Sequence, residues 1–287
     1  MTDPIVVGTD GSPGADRAVR WAADEAALRG LPLRVVHSID KGLYELPLFA
    51  PGQFARPVTA AGEELLAGAE RLARERRPGI EITTELVAEA TATALADRSR
   101  HAFEVVVGHR GRGGFASLLL GSTGLRLAGH AAAPVVIVRG DAEAADGEVV
   151  AGVDLVADPT RTLRYAFDAA SVRGARVRVL HAWRLSGTTA PEVDVRDVEE
   201  KLRREIVRGL APLRELYPDV EAVEEIVRDH PVSALCEASR RAALIVVGTH
   251  DHDWFDAPRL GSVSHGVIHH AHSPVAIMHM RLTNRVE

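Results

Sequence analysis

The sequence predicts an α/β protein built from two tandem domains, each an open parallel sheet of five strands with helices on both faces. Three observations predict it. The chain repeats: "IVVGTDGSPGADRAVRWAADEAALRGLPLRVVHS" lies on "VVAGVDLVADPTRTLRYAFDAASVRGARVRVLHA", placing Gly8 on Gly152, Asp10 on Asp154, Gly30 on Gly174 and His37 on His181, each pair 144 positions apart. A later segment, "VVVGHRGRGGFASLLLGST", recurs as "IVVGTHDHDWFDAPRLGSV" 140 positions on. Short apolar runs alternate with segments of helical period throughout both copies. The expected organisation is a first domain over 1–140, a polar linker over 141–147 and a second domain over 148–287.

Each element has a local reason. "PIVVGT" is a short apolar strand. Ser12 can cap a helix with Pro13 at its first position, and Ala18, Trp21, Ala22 and Ala26 recur at helical spacing until Gly30 stops it. "LRVVHSI" is the second strand. A helix from about Glu63 to Arg77 carries Leu65, Leu66, Ala69, Leu72 and Ala73 on one side and ends before Pro78. In "IEITTELV" the residues Ile80, Ile82, Thr84 and Leu86 alternate, which suits a strand with one wetter face. A helix around Leu95, the strand "EVVVG", a helix after Ser122 and the strand "PVVIV" complete the unit, an arrangement of the Rossmann-like or flavodoxin-like kind. The second copy supplies "VVAGV", "RVRVLHAW", "EAVEEIV", "LIVVG" and "PVAIMH" in the same order.

Composition excludes several functions. A formal net charge of −6 argues against a nucleic-acid partner, because duplex binding needs a basic face. No stretch approaches the roughly 18 apolar residues of a membrane span, so no membrane association is expected. Cys236 is the only cysteine, which rules out an intrachain disulfide and a thiolate metal cluster. A cytoplasmic protein is the expectation.

Ligands of open α/β sheets bind beyond the carboxyl ends of the strands, where the strand order reverses. That rim collects Thr9 and Asp10 after the first strand, His37 and Ser38 after the second, and Gly108, Arg110, Gly111 and Arg112 after the fourth. Glycines let backbone N–H groups approach a phosphate. Gly121, Ser122 and Thr123 open a helix whose free N–H groups favour an anion, and the arginines add charge. No G-K-S/T follows, so this is not a Walker A loop, and a Rossmann fingerprint would follow the first strand rather than the fourth. Asp10 is placed to accept hydrogen bonds from ribose hydroxyls.

The spacing G-x2-G-x9-G-S made by Gly108, Gly111, Gly121 and Ser122, with "VVGTDGS" before it and "PVVIVR" after it, strongly resembles the universal stress protein family, over both halves of the chain. The resemblance implies ATP as ligand, alone or with Mg2+, with Asp10 at the ribose, the backbone around Ser38 at the adenine, and Gly108, Gly111, Gly121 and Ser122 at the phosphates. It also implies pairing through the last strand of each domain, as a homodimer or as an intrachain pseudo-dimer about a pseudo-twofold axis. One departure is Gly124, where the family has a hydroxyl residue.

The second half departs further. Asp154, Gly248, Gly261, Ser262 and Ser264 are its site candidates, but Asp251 replaces the second glycine, and the "GS" after the first aspartate has become "LV". A carboxylate facing a phosphate is repulsive, so weak or absent triphosphate binding is expected there. Loops 40–62 and 184–196 are expected to flank the two sites. His265 and His269 stand one helical turn apart, but no complete metal signature is present, so no metal is expected and the late histidines read as solvent-exposed or partner-facing. Cys236 reads as a small core residue, and His37 and His181 as structural. No nucleophile with a base emerges; only His109 and Asp16 stand near enough in sequence to serve as one. The function read from the sequence is an ATP-dependent stress-response regulator acting by binding. The alternatives are a slow ATP hydrolase of the same fold and an interaction module without a nucleotide.

Overall fold

The computed structural model describes residues 2–39, 55–111, 121–140, 147–184, 194–249 and 260–279. It divides into two compact units, 1–139 and 140–287. In the first, β1 (Ile5–Gly8), α1 (Pro13–Arg29), β2 (Leu33–Ser38), α2 (Ala55–Arg76), β3 (Ile82–Val87), α3 (Thr91–Arg98), β4 (Glu104–Gly108), α4 (Ser122–His130) and β5 (Val135–Val138) follow one another. All pairings within it are parallel, in the order β3-β2-β1-β4-β5. The second unit repeats this as β6 (Glu148–Gly152), α5 (Thr160–Arg173), β7 (Val177–Ala182), α6 (Val195–Leu216), β8 (Ala222–Val227), α7 (Pro231–Ala238), β9 (Ala242–Thr249), α8 (Ser262–His270) and β10 (Val275–His279), ordered β8-β7-β6-β9-β10.

Right-handed crossovers place the helices. Steps from β1 to β2 to β3 run one way along the sheet and those from β3 to β4 to β5 run the other, so α1 and α2 pair on one face while α3 and α4 pair on the opposite one. Both faces are thereby covered, which is why the strands are unbroken apolar runs: Ile5, Val6, Val7, Val105, Val106, Val135, Val136 and Ile137 are all 0% exposed. The strand order reverses between β1 and β4 in one unit and between β6 and β9 in the other.

Three expectations change. The second helix begins at Ala55, not near Glu63, so residues 55–62 are helix instead of loop. Pro57 is tolerated in a first turn, and Gly62 is not a breaker but a contact, since a Cβ there would lie 2.8 Å from Leu86 Cδ1 of β3. Residues 40–54 of that loop and 185–193 of the other lie outside the described residues, while Asp194 caps α6 by accepting from Arg196 N. In β3 the alternation gives way: Thr84 is exposed and only Val87 is buried, because β3 lies at the edge of its sheet beyond β2. Glu85 there pairs with Arg98 at 2.6 Å, which holds its carboxyl below the usual range. Cys236 is half-buried; Ala234, Leu235 and Ala238 supply the core face of α7 instead.

A buried ion pair within α1 distinguishes the first unit. Arg29 Nε meets Glu25 Oε1 at 2.6 Å with side chains 5% and 2% exposed, and the guanidinium lies 4.5 Å from the centre of the Phe103 ring. In the second unit Ala169 replaces the glutamate, and Arg173 Nη1 donates to the Ala169 carbonyl at 2.9 Å. Removing one member of a buried pair strands the other charge. Glu25→Ala is therefore expected to lower stability by about 3 kcal/mol in urea unfolding, and Arg173→Ala by about 1 kcal/mol.

Candidate functional site

The site grows out of the turn after β1. Thr9 N donates to the Val36 carbonyl at 2.9 Å, and His37 Nδ1–H donates to the Thr9 carbonyl at 2.8 Å, so the ends of β1 and β2 are tied together. His181 repeats the bond to the Val153 carbonyl at 3.0 Å, consistent with a structural role in both copies. Gly11 turns the chain with φ 70, the left-handed region that favours glycine. Asp10 Oδ1 accepts from Ser12 N at 3.0 Å, and Ser12 Oγ accepts from Ala15 N at 3.2 Å to cap α1.

That cap is pressed onto the exit of β4. A Cβ on Gly108 would lie 2.5 Å from the Gly14 carbonyl, and one on Gly14 would lie 2.4 Å from the Arg110 carbonyl. Ser12 Oγ donates to that same carbonyl at 3.4 Å. A Cβ on Gly111 would lie 2.3 Å from Asp10 Oδ2. Two of the spaced glycines thus face the protein's own packing: Gly108 is required by the backbone of α1, and Gly111 lies against the movable Asp10 carboxylate. Neither takes a positive φ; among the rim glycines Gly11 does.

Gly121 N donates to the His109 carbonyl at 2.9 Å, which sets the start of the following helix beside the exit of β4. The nine-residue spacer itself, Arg112 included, lies outside the described residues. Ser122 and Thr123 begin α4 with Gly121 as the N-cap. Thr9, Asp10, Gly108, Arg110, Gly111, Gly121 and Ser122 are therefore brought to one rim. Ser38 stands one strand away with its hydroxyl donated to the Glu89 carbonyl. Asp16 lines a depression of about 470 Å³ that runs from Thr9 and Gly11 toward Glu64 and Arg71 of α2.

In the sequence His109 stands out only as a candidate base close to the glycines. Burial first, then Arg139, Arg17 and Arg110, push its pKa down to about 4, so the imidazole is neutral in water at pH 7. Arg17 and Arg139 also escaped notice, since one lies in a helix and the other past the last strand; only the fold gathers them.

In the second unit the same rim has loosened. Leu155 and Val156 stand where Gly11 and Ser12 stand, Val156 is 95% exposed, and α5 begins three residues later than α1 in the shared frame. Pro159 at its N-cap makes no side-chain bond; Asp158 Oδ1 accepts from Thr160 N at 3.0 Å and from Thr160 Oγ1 at 2.5 Å, which holds its carboxyl below the usual range. Asp154 Oδ1 accepts from Val156 N at 3.0 Å, and Ser264 Oγ folds back to donate to the Gly248 carbonyl at 2.6 Å. A cavity of about 400 Å³ opens here, lined by Asp154, Asp158, His181, Gly248, Gly261 and Ser262 among others, with no lysine or arginine among its described lining. Asp251 lies outside the described residues.

Residues 1–139 and 147–279 each match the model of the Universal stress protein family. A universal stress protein of Mycolicibacterium smegmatis is 35% identical over 96% of this chain and 97% of its own length. One from Mycobacterium tuberculosis is 32% identical over 95% of this chain and 96% of its own. A universal stress protein crystal structure from Archaeoglobus fulgidus superposes with a TM-score of 0.72 at 18% identity, covering 97% of this chain and 99% of that one, a likeness of fold.

Gly108→Ala drives its Cβ into backbone that cannot yield without moving α1, so it should cost about 2 kcal/mol in thermal unfolding. Gly111→Ala meets only a carboxylate that can swing aside, and its cost should stay under about 1 kcal/mol. His109 should titrate by NMR with a midpoint near 4. Because its folded value is depressed, its contribution to stability is complete above the unfolded value of about 6.5 and is lost as pH falls toward the folded value.

Proposed function

We propose that this chain, which belongs to the universal stress protein family, binds one adenine nucleotide at the rim of its first half and acts through that occupancy rather than through turnover. The reading rests on one observation: the Asp10 carboxylate is seated against Gly111 at the exit of β4, where the His109 carbonyl accepts from Gly121 N at the start of α4. A carboxylate acceptor for ribose hydroxyls and a helix N-terminus for phosphates then belong to one crevice. Arg17, Arg110 and Arg139, which depress His109, make the field around it positive. That field favours several phosphates over one, and hence ATP. Mg2+, where it accompanies ATP, is carried by the phosphates.

The second half differs in sign. Its cavity offers two carboxylates and no lysine or arginine among its described lining, so it disfavours a phosphate tail. ATP held by the first half stabilises the conformation that binds it, and a partner reading that conformation would report nucleotide level in the cytoplasm under stress.

Calorimetric titration of ATP into the whole chain should give one site, weakened at least ~10-fold in Gly111→Asp, where the new carboxylate meets that of Asp10. ATP should be recovered intact after long incubation; steady ADP release would make the protein a hydrolase, and absence of binding would leave an interaction module. In the same sample the His109 midpoint should rise on ATP addition, because phosphate charge offsets the arginines.

A further inference from the structure

We propose that His265 and His269 on α8 form a chelating site for a divalent transition-metal ion of the imidazole-preferring class, Zn2+ or Cu2+. The two residues are one helical turn apart on α8, His265 exposed and His269 half-buried, and their ring centres lie 4.5 Å apart with the planes tilted by 42°. Two imidazoles bound to one zinc ion through bonds of ~2.0 Å at a tetrahedral angle hold their ring centres roughly 5 Å apart, close to the separation of this pair. Solvent completes the coordination shell.

The backbone beneath the pair is set before any metal arrives. Val267 and Ile268 are 0% exposed, and a Cβ on Gly266 would lie 2.7 Å from Val232 Cγ2, so α8 is seated tightly on α7. A chelate whose ligands sit on a rigid helix loses less freedom on binding than one assembled from loops. His270, although adjacent, has its ring 6.3 Å from that of His269 and is not part of the pair. The internal duplication supplies a comparison: Leu125 and Gly129 occupy the equivalent positions of α4, so the first half has no such pair. The ion would clip the helix whose first turn, Gly261 to Ser264, lines the second-half cavity. A metal-bound α8 would therefore stiffen one wall of that cavity, independently of whether the first half binds ATP.

Zn2+ added to the untagged whole chain should raise the Tm, and His265→Ala and His269→Ala should each weaken zinc binding at least ~10-fold by calorimetry, whereas His270→Ala should not. Cu2+ should bind more tightly than Zn2+, and Mg2+ should give no shift. Substoichiometric Cu2+ should broaden the imidazole NMR signals of His265 and His269 before those of any other histidine. His265→Gln keeps an exposed polar side chain and serves if the alanine variant is unstable. Zinc affinity unchanged in both single variants, or copper broadening that starts at other histidines, overturns the proposal.

Discussion

The seating of α1 against the exit of β4 is the contact on which the first-half rim depends. Gly14 and Gly108 meet backbone to backbone, Ser12 both caps α1 and reaches the Arg110 carbonyl, and Asp10 is fitted against Gly111. Each of these needs the next. Without the Ser12 cap the first turn of α1 has no reason to start where it does; without that turn, Gly14 has no strand to meet; and without the close approach Asp10 would not face Gly111 after β4. The glycines that look in sequence like a ligand cradle are in part the hinge pins of the protein itself.

The duplication makes the argument internal to one chain. In the second half the residues equivalent to Gly11, Ser12 and Gly14 are Leu155, Val156 and Asp158. The outcome follows from side-chain chemistry: no hydroxyl accepts from the third helical N–H, the first turn is not helical, and Asp158 and Thr160 improvise a later cap. Loosening the turn leaves an open space beside β6 and β9, which is the cavity. A change of three residues thus trades a tightly interlocked rim for a roomier one, with the sheet beneath unaffected.

The electrostatic contrast has the same origin. Arg17 and Arg161 are equivalent residues, yet Arg17 contributes to the field that depresses His109, while Arg161 Nη1 donates to the His279 carbonyl at 2.9 Å. Thr249 stands where His109 does, and its hydroxyl donates to the Met278 carbonyl at 3.5 Å. Two domains with one fold can therefore present opposite charge to a ligand, because charged side chains at the rim can change while the buried strands beneath stay apolar.

The sequence by itself determined the duplication, the order of strands and helices, and the rim on which the candidate residues fall, because those follow from apolar period, caps and repeats that are local in the chain. It also marked Gly108, Gly111, Gly121 and Ser122 by their spacing, and Asp10 by its place after the first strand. It could not say that α2 starts eight residues early, since a proline and a glycine read as breakers when their neighbours in space are unknown. Nor could it say what the glycines touch, which arginines surround His109, or that the second half encloses a cavity. Those were decided by tertiary structure: a missing Cβ has meaning only against the atom it would strike, and a charge only against the burial and the charges that surround it.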